Sequence, residues 1–319
     1  MNNVIPSHLY KYKSFSVDSL DLLVSDSLYF ADPTTFNDPL DCNPSLQNNI
    51  TDVNILKDIL HKLVKDNTQQ ELEEAAAKIK YKGQKTLEKI DTLGEYEAQK
   101  LVNRVAEWVE LFGEQGNESI SFYIKRYLLQ NYKDGVLSLA KDFDCPLMWS
   151  HYADQHKGFC IGYDVSIDYV SDIYPIDYEG KRFITTQQVH DMLFGSTESI
   201  KRAAKKEIDK VILLSKAPAW KYENEYRVIS KQGLKDSPFK LSDVTFGLRF
   251  KTSAKFSVMR ALQDRRGDIN FYEISLCDDS FRLQRNPIDL DKFDFQNLPG
   301  SHYEYALEML EAFEDFPND

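Results

Sequence analysis

Pro146-Leu-Met-Trp149-Ser-His151-Tyr152-Ala-Asp-Gln-His156-Lys-Gly158-Phe-Cys-Ile-Gly-Tyr163-Asp164 is the stretch around which the rest of the chain is read. Trp149 to His156 contains no strong helix breaker and makes about two turns at roughly 3.6 residues each. Gly158 is placed to end that helix as a left-handed cap. Phe159-Cys-Ile-Gly-Tyr163 then has the apolar, aromatic character of a buried strand. Ser150, His151 and Tyr152 fall on successive helix faces, so they cannot all enter the core. A polar, aromatic helix feeding into a core strand is a folding nucleus or the wall of a site.

Outside this stretch, 319 residues suffice for one large domain or two ordinary ones. We expect one α+β domain over 1–319. With 39 Lys and Arg against 51 Asp and Glu, the net charge is −12. That balance argues against a broad nucleic-acid footprint, which needs clustered cations. The first residues have neither the basic start nor the apolar run of a signal peptide, and no segment approaches the roughly 18 apolar residues of a membrane span. Cys42, Cys145, Cys160 and Cys277 are widely spaced without a Cys-x-x-Cys pair, which reads as free thiols. A cytoplasmic protein with no membrane partner is the expectation.

In chain order, Leu9 to Tyr12 reads as a strand. Ser16 to Asp26 reads as a helix, with Val17, Leu20 and Val24 on one face and Ser16 or Asp18 as cap. Leu28 to Ala31 is a second strand, followed by the polar loop Thr35-Phe-Asn37-Asp38-Pro-Leu-Asp41-Cys42. From about 47 to 134 the pattern is helical, with Ile55, Ile59 and Leu63 and then Leu101, Val105, Trp108 and Phe112 at helical spacing. Its Glu- and Lys-rich middle is a solvated face. Gly135 to Ala140 resumes the strands, Val170 to Tyr178 is another candidate, and Thr197 to Leu214 is a helix. Later elements are a strand at Val244 to Phe250, a helix from Thr252 to Gln263, and strands at Ile269 to Ser275 and Phe281 to Gln284. An acidic tail at about 290–319 ends in a helix around Tyr303 to Phe313.

The second notable stretch is Lys216-Ala-Pro-Ala-Trp220-Lys-Tyr222-Glu223-Asn-Glu225-Tyr226-Arg227-Val-Ile229. Read as a strand, it places Glu223, Glu225 and Arg227 on one face. If that face is buried, like-charge repulsion and desolvation raise at least one glutamate pKa, which suits proton transfer or stabilisation of a cation. The competing reading is a surface strand with Glu225 paired to Arg227. His151 and His156 are five apart, on different helix faces, so no metal site is expected there. Asp38, Asp41 and the glutamates could hold Mg²⁺, although the Asn37-Asp38-Pro39 turn is equally explained by local side-chain caps. No phosphate-binding Gly-rich loop and no Ser/His/Asp order stands out.

Four segments together carry a resemblance: Leu9-Tyr-Lys-Tyr12; Leu28-Tyr-Phe with Phe36-Asn-Asp-Pro-Leu-Asp-Cys42; Leu147-Met-Trp-Ser-His-Tyr-Ala153 with His156-Lys-Gly158; and Trp220 to Arg227. In this order they resemble the bacterial family known as domain of unknown function 2971, DUF2971. The order of parts is also similar to the ADP-ribosyltransferase fold, a mixed or antiparallel β-sheet. That second resemblance implies NAD as substrate, with contacts from Tyr10, Lys11, Tyr12, Trp149, His151 and Tyr152. It implies Glu225 as the catalytic glutamate and Glu223 as the residue that orients or deprotonates the acceptor. Asn37 and Asp38 become substrate contacts. The Arg or His expected on the first strand is missing, so Lys11 or a tyrosine takes its place, and there is no Ser-Thr-Ser strand.

The leading expectation is therefore a NAD-consuming ADP-ribosyltransferase or NAD glycohydrolase, a toxin or anti-phage effector acting on a protein or nucleic-acid acceptor. A metal-dependent nuclease is the first alternative. The second is a non-catalytic module in which the helical insertion binds a protein partner and the glutamates lie exposed.

Overall fold

The computed structural model describes residues 5–81, 83–165, 173–263, 265, 268–289 and 309. Their contacts fall into two compact units. The helical unit holds residues 29–138 and 173–235; the sheet unit holds 5–28, 139–165 and 236–289. The chain opens with β1 (His8–Lys13), α1 (Val17–Ser25), β2 (Ser27–Phe30) and β3 (Ser45–Gln47). Next come α2 (Val53–Lys78), α3 (Gln84–Phe112), α4 (Glu114–Gln130), β4 (Asp134–Ala140), α5 (Pro146–Tyr152) and β5 (Phe159–Asp164). β6 (Ile173–Pro175), β7 (Phe183–Thr185), α6 (Thr186–Phe194) and α7 (Glu198–Leu213) follow. The last are β8 (Glu225–Lys231), β9 (Gly233–Asp236), β10 (Lys240–Phe246), α8 (Thr252–Gln263), β11 (Asn270–Leu276) and β12 (Leu283–Pro287). The class is α+β with a mixed sheet.

In the sheet unit β5 lies between β1 and β10, antiparallel to both. β11 runs parallel to β10, and β12 antiparallel to β11. Phe159 on β5 and Phe246 on β10 close on Phe250 at 6.2 and 4.9 Å between ring centroids, in edge-on and tilted contacts that suit aromatic quadrupoles. α1 starts where its sequence says it should. Ser16 accepts from the Ser19 amide at 3.1 Å, and the Ser19 hydroxyl accepts from the Ser16 amide at 2.9 Å.

The decisive stretch folds differently at its turn. α5 ends at Tyr152, and Asp154, Gln155 and His156 take positive φ of 45, 55 and 69°. Gly158 is not the left-handed residue. It is needed for room, because a Cβ there would lie 2.1 Å from the Lys13 carbonyl oxygen. Trp149 is fully buried and donates through Nε1 to the Phe143 carbonyl at 2.7 Å. β5 follows as the apolar strand expected.

In the helical unit, α2, α3 and α4 follow one another from Val53 to Gln130. Leu56, Ile59, Leu60 and Leu63 of α2 pack with Ile120 and Ile124 of α4, and Ile208 and Ile212 of α7 complete the same core. The outer faces carry pairs such as Lys65 with Asp91 at 3.0 Å and His61 with Glu95 at 2.9 Å, each worth little in water. β3 and β7 pair in parallel, β2 pairs with β9, and β6 is antiparallel to β8, with Ile173 opposite Val228. The helix expected at Tyr303 to Phe313 lies outside the described residues except Met309, as does the start of the strand expected from Val170. No described helix is long and apolar enough to cross a membrane.

Candidate functional site

Trp220 to Arg227 is not one alternating strand. Pro218–Glu223 forms a 3-10 turn, and Asn224 is left-handed with φ 44°, an accessible conformation for Asn. β8 then begins at Glu225. The reversal at Asn224 brings both glutamates to one ammonium. Lys216 Nζ donates to Glu223 Oε2, and to Glu225 Oε2 at 3.0 Å, with Asp41 Oδ2 at 3.6 Å. Lys216 reaches them because α7 ends just before it, and its backbone N–H is held by the Asp177 carbonyl at 3.2 Å.

Arg227 lies on the other side of Glu225 and is fully buried. Its Nε donates to Glu225 Oε1 at 2.7 Å, and Nη2 to Asp41 Oδ2 at 2.7 Å and Glu225 Oε2 at 3.2 Å. Nη1 donates to the Leu213 carbonyl at 2.8 Å and to Cys42 Sγ at 3.3 Å. All five guanidinium N–H groups are thus used, which is what a buried Arg requires. The Phe36 ring covers the guanidinium at 5.4 Å.

The surface-strand reading of Glu225 and Arg227 is therefore overturned, since both are buried along with Glu223. The expected rise in carboxyl pKa is overturned for Glu225. Burial pushes it up, but Arg227 and Lys216 outweigh burial and hold it at about 2. Burial works against the charge of Lys216 too, and Glu225 and Glu223 raise its pKa nonetheless. Asp41, Glu223 and Glu225 thus gather around Lys216 and Arg227.

Beside this cluster is a cavity of about 230 Å³ bordered by Cys42, Tyr178, Lys181, Arg182, Ser215 and Lys216. Lys216 reaches both the cavity and the glutamates. The Tyr178 hydroxyl accepts from the Glu225 backbone N–H at 2.8 Å, tying the cavity wall to the start of β8. Burial pushes the Tyr178 hydroxyl up to about 12, so it stays protonated at neutral pH. Asp38 borders the cluster indirectly, accepting from Trp220 Nε1 at 2.7 Å while Lys216 sits 5.2 Å from the Trp220 ring. It also caps its own loop through the Leu40 N–H at 2.8 Å.

Sequence reasoning brings Glu223, Glu225, Asp38 and Asp41 to this unit, with Asn37 in the same loop. It assigned no role to Lys216, Tyr178 or the thiol of Cys42, although Lys216 opens the second notable stretch and Cys42 closes the Phe36–Cys42 segment. The ammonium of Lys216 occupies the position among Asp41, Glu223 and Glu225 that a nuclease metal would take. No His, Cys, Asp or Glu group suited to a metal occurs among the described residues. The interaction-module reading expects exposed glutamates, and both are buried.

The remaining expected NAD contacts lie in the sheet unit. Tyr10 is buried, its ring 5.7 Å from Phe143, and burial pushes its hydroxyl up to about 12. Tyr12 is buried edge-on to Trp149 at 5.3 Å and donates to the Asp142 carbonyl at 2.9 Å. Lys11, which stands between them in sequence on β1, is half-buried. On α5 His151 is exposed and Tyr152 half-buried, their rings 6.4 Å apart. The first strand does hold a histidine after all, because β1 begins one residue earlier than its apolar pattern, at His8.

No curated protein and no solved structure matches the chain. Residues 148–228, the segment bearing Trp149, Lys216, Glu223, Glu225 and Arg227, match the model of the family described as "Protein of unknown function (DUF2971)".

Proposed function

We infer that the helical unit carries a NAD-consuming glycosyl-transfer centre, an ADP-ribosyltransferase or NAD glycohydrolase. The observation that carries this reading is that Glu223 and Glu225 share one lysine at the edge of a cavity whose other cations are Lys181 and Arg182. Breaking the nicotinamide bond leaves the electron pair on the ring nitrogen and positive charge on the ribose. A carboxylate held ionised, as Glu225 is, stabilises that charge most in the transition state. Glu223 then takes the proton of the attacking acceptor or water as its oxygen bonds to the ribose carbon.

The cavity is smaller than the ~300 Å³ lower bound of drug-sized sites, so it takes one end of a dinucleotide. Lys181, Arg182 and Lys216 suit its pyrophosphate. Lys216 has a flexible four-carbon stem, and its transfer from the glutamates to phosphate would remove one of the hydrogen bonds that Glu225 Oε2 accepts, leaving that from Arg227 Nη2. Purified protein should release nicotinamide from NAD, measured chromatographically with and without protein or nucleic-acid acceptors. Absence of release in every arm refutes the reading.

A further inference from the structure

The sheet unit holds a second constellation, unrelated to the glutamates. His8 on β1 stands opposite Asp164 on β5, and their side chains meet at 2.9 Å, Nδ1 to Oδ1. The other ring nitrogen, Nε2, lies 2.8 Å from the hydroxyl of Ser242 on β10. With Nδ1–H donating to Asp164, the lone pair of Nε2 faces the seryl oxygen, the orientation a general base needs.

The backbone makes this meeting possible in two ways. β1 and β10 are separated by β5, about two strand spacings or roughly 9.5 Å apart. Side chains from both can meet over β5 because position 162 is glycine. A Cβ there would come within 2.2 Å of Asp243 Oδ2. Glycine inside a strand weakens it, and close approach is a usual reason for its presence. The register also slips at this point: Leu241 pairs with Tyr163 and Asp243 with Gly162, so Ser242 is a bulged residue without a partner on β5. Bulges re-aim side chains, and this one turns the hydroxyl toward His8.

The surroundings favour proton transfer. Asp243, nearly fully buried, lies 3.5 Å from His8 Nε2 and accepts from Arg285 Nη1 at 2.9 Å. Asp164 and Asp243 thus flank the two ring nitrogens of His8, at 2.9 and 3.5 Å. The hydroxyl hydrogen of Ser242 has other acceptors, Asp243 Oδ2 at 2.9 Å and the Gly162 carbonyl at 3.1 Å, and rotation moves it among them. The side chains of His8 and Asp164 are 35% and 41% exposed, so the constellation opens to solvent at the imidazole while Ser242 sits at its buried end.

We propose that Ser242, His8 and Asp164 form a nucleophilic serine centre that transfers the acyl group of an ester to water. The proton of Ser242 Oγ passes to His8 Nε2 as Oγ bonds to the carbonyl carbon. The ester C–O bond then breaks, and the alcohol leaves with the proton from His8. Water repeats the sequence, releasing the acid and restoring Ser242. Asp164 acts as a positioning residue that fixes the tautomer.

A fluorophosphonate probe tests this without knowledge of the natural ester. Its phosphorus bonds to Oγ, fluoride leaves, and the proton goes to His8. Intact mass and peptide mapping should show one adduct per chain, on Ser242 and absent from Ser242→Ala. In folded His8→Gln the labelling rate should fall by at least ~100-fold, the lower bound for a general base. Wild-type protein should also release one nitrophenolate per chain in a burst from p-nitrophenyl acetate. No adduct on folded wild-type protein after hours overturns the proposal, whatever the variants do. An adduct on a different serine, or an unchanged rate in folded His8→Gln, overturns it equally.

Discussion

Replacing Lys216 with Met tests how the buried cluster is held. Met keeps much of the lysine stem's volume but removes the ammonium bound to Glu223 and Glu225 and lying 3.6 Å from Asp41. Glu223 and Glu225 would then lose this ammonium, with Arg227 still on Glu225 and Asp41. Removing one partner of a buried ion pair costs about 3–5 kcal/mol, because the remaining charge is left without compensation. For a unit of roughly 150–250 residues each kcal/mol shifts the melting temperature by about 2–4 °C, so the midpoint should fall by roughly 10 °C at pH 7. Scanning calorimetry or circular dichroism reads this directly. Adding Glu223→Gln removes one of the carboxylates that Lys216 bridges and should recover at least part of the loss. A fall of less than about 2 °C in the single variant, or a double variant no more stable than the single, refutes the account of the cluster.

Further expectations follow from the same geometry. Glu225 has its pKa lowered from 4.5 to about 2 in the folded chain, so its ion pairs stabilise the fold above pH ~4.5 and that stabilisation drains away as pH falls toward 2. The shift corresponds to about 3 kcal/mol, and Glu225→Gln should flatten the acid limb of a melting-temperature profile. Trp220→Phe removes the 2.7 Å bond to Asp38 and should cost about 1 kcal/mol in urea denaturation, with greater proteolytic sensitivity of the 36–42 loop. Gly162→Ala drives a Cβ into Asp243 and should cost ~1–3 kcal/mol while slowing fluorophosphonate labelling of Ser242.

Much of the fold can be read where local rules dominate. The Ser16 cap, the periodic helices α2 to α4, and α8 from Thr252 follow from capping and apolar spacing. The turn after α5 could not be read this way, because three successive non-glycine residues take positive φ there and local preference runs against it. At Trp220 to Arg227 the alternating charges imitate a strand, whereas Asn224 turns the backbone and divides the segment. The paired glutamates were visible as a pair, but the ionisation of Glu225 was misjudged. What outweighs its burial is Arg227, oriented by the Leu213 carbonyl, and Lys216 from just beyond α7. The Ser242 constellation was invisible for the same reason: Ser242 stands 234 positions from His8, and a strand bulge aims it.

The most direct measurement for the central claim is the rate of nicotinamide release from NAD by wild-type protein and by Glu225→Gln, with folding of both verified by circular dichroism. The account predicts release by the wild-type chain and a loss of at least ~100-fold in the variant, the scale of removing one transition-state-stabilising group. A wild-type chain that releases no nicotinamide, or a folded Glu225→Gln chain that releases it at the wild-type rate, contradicts it.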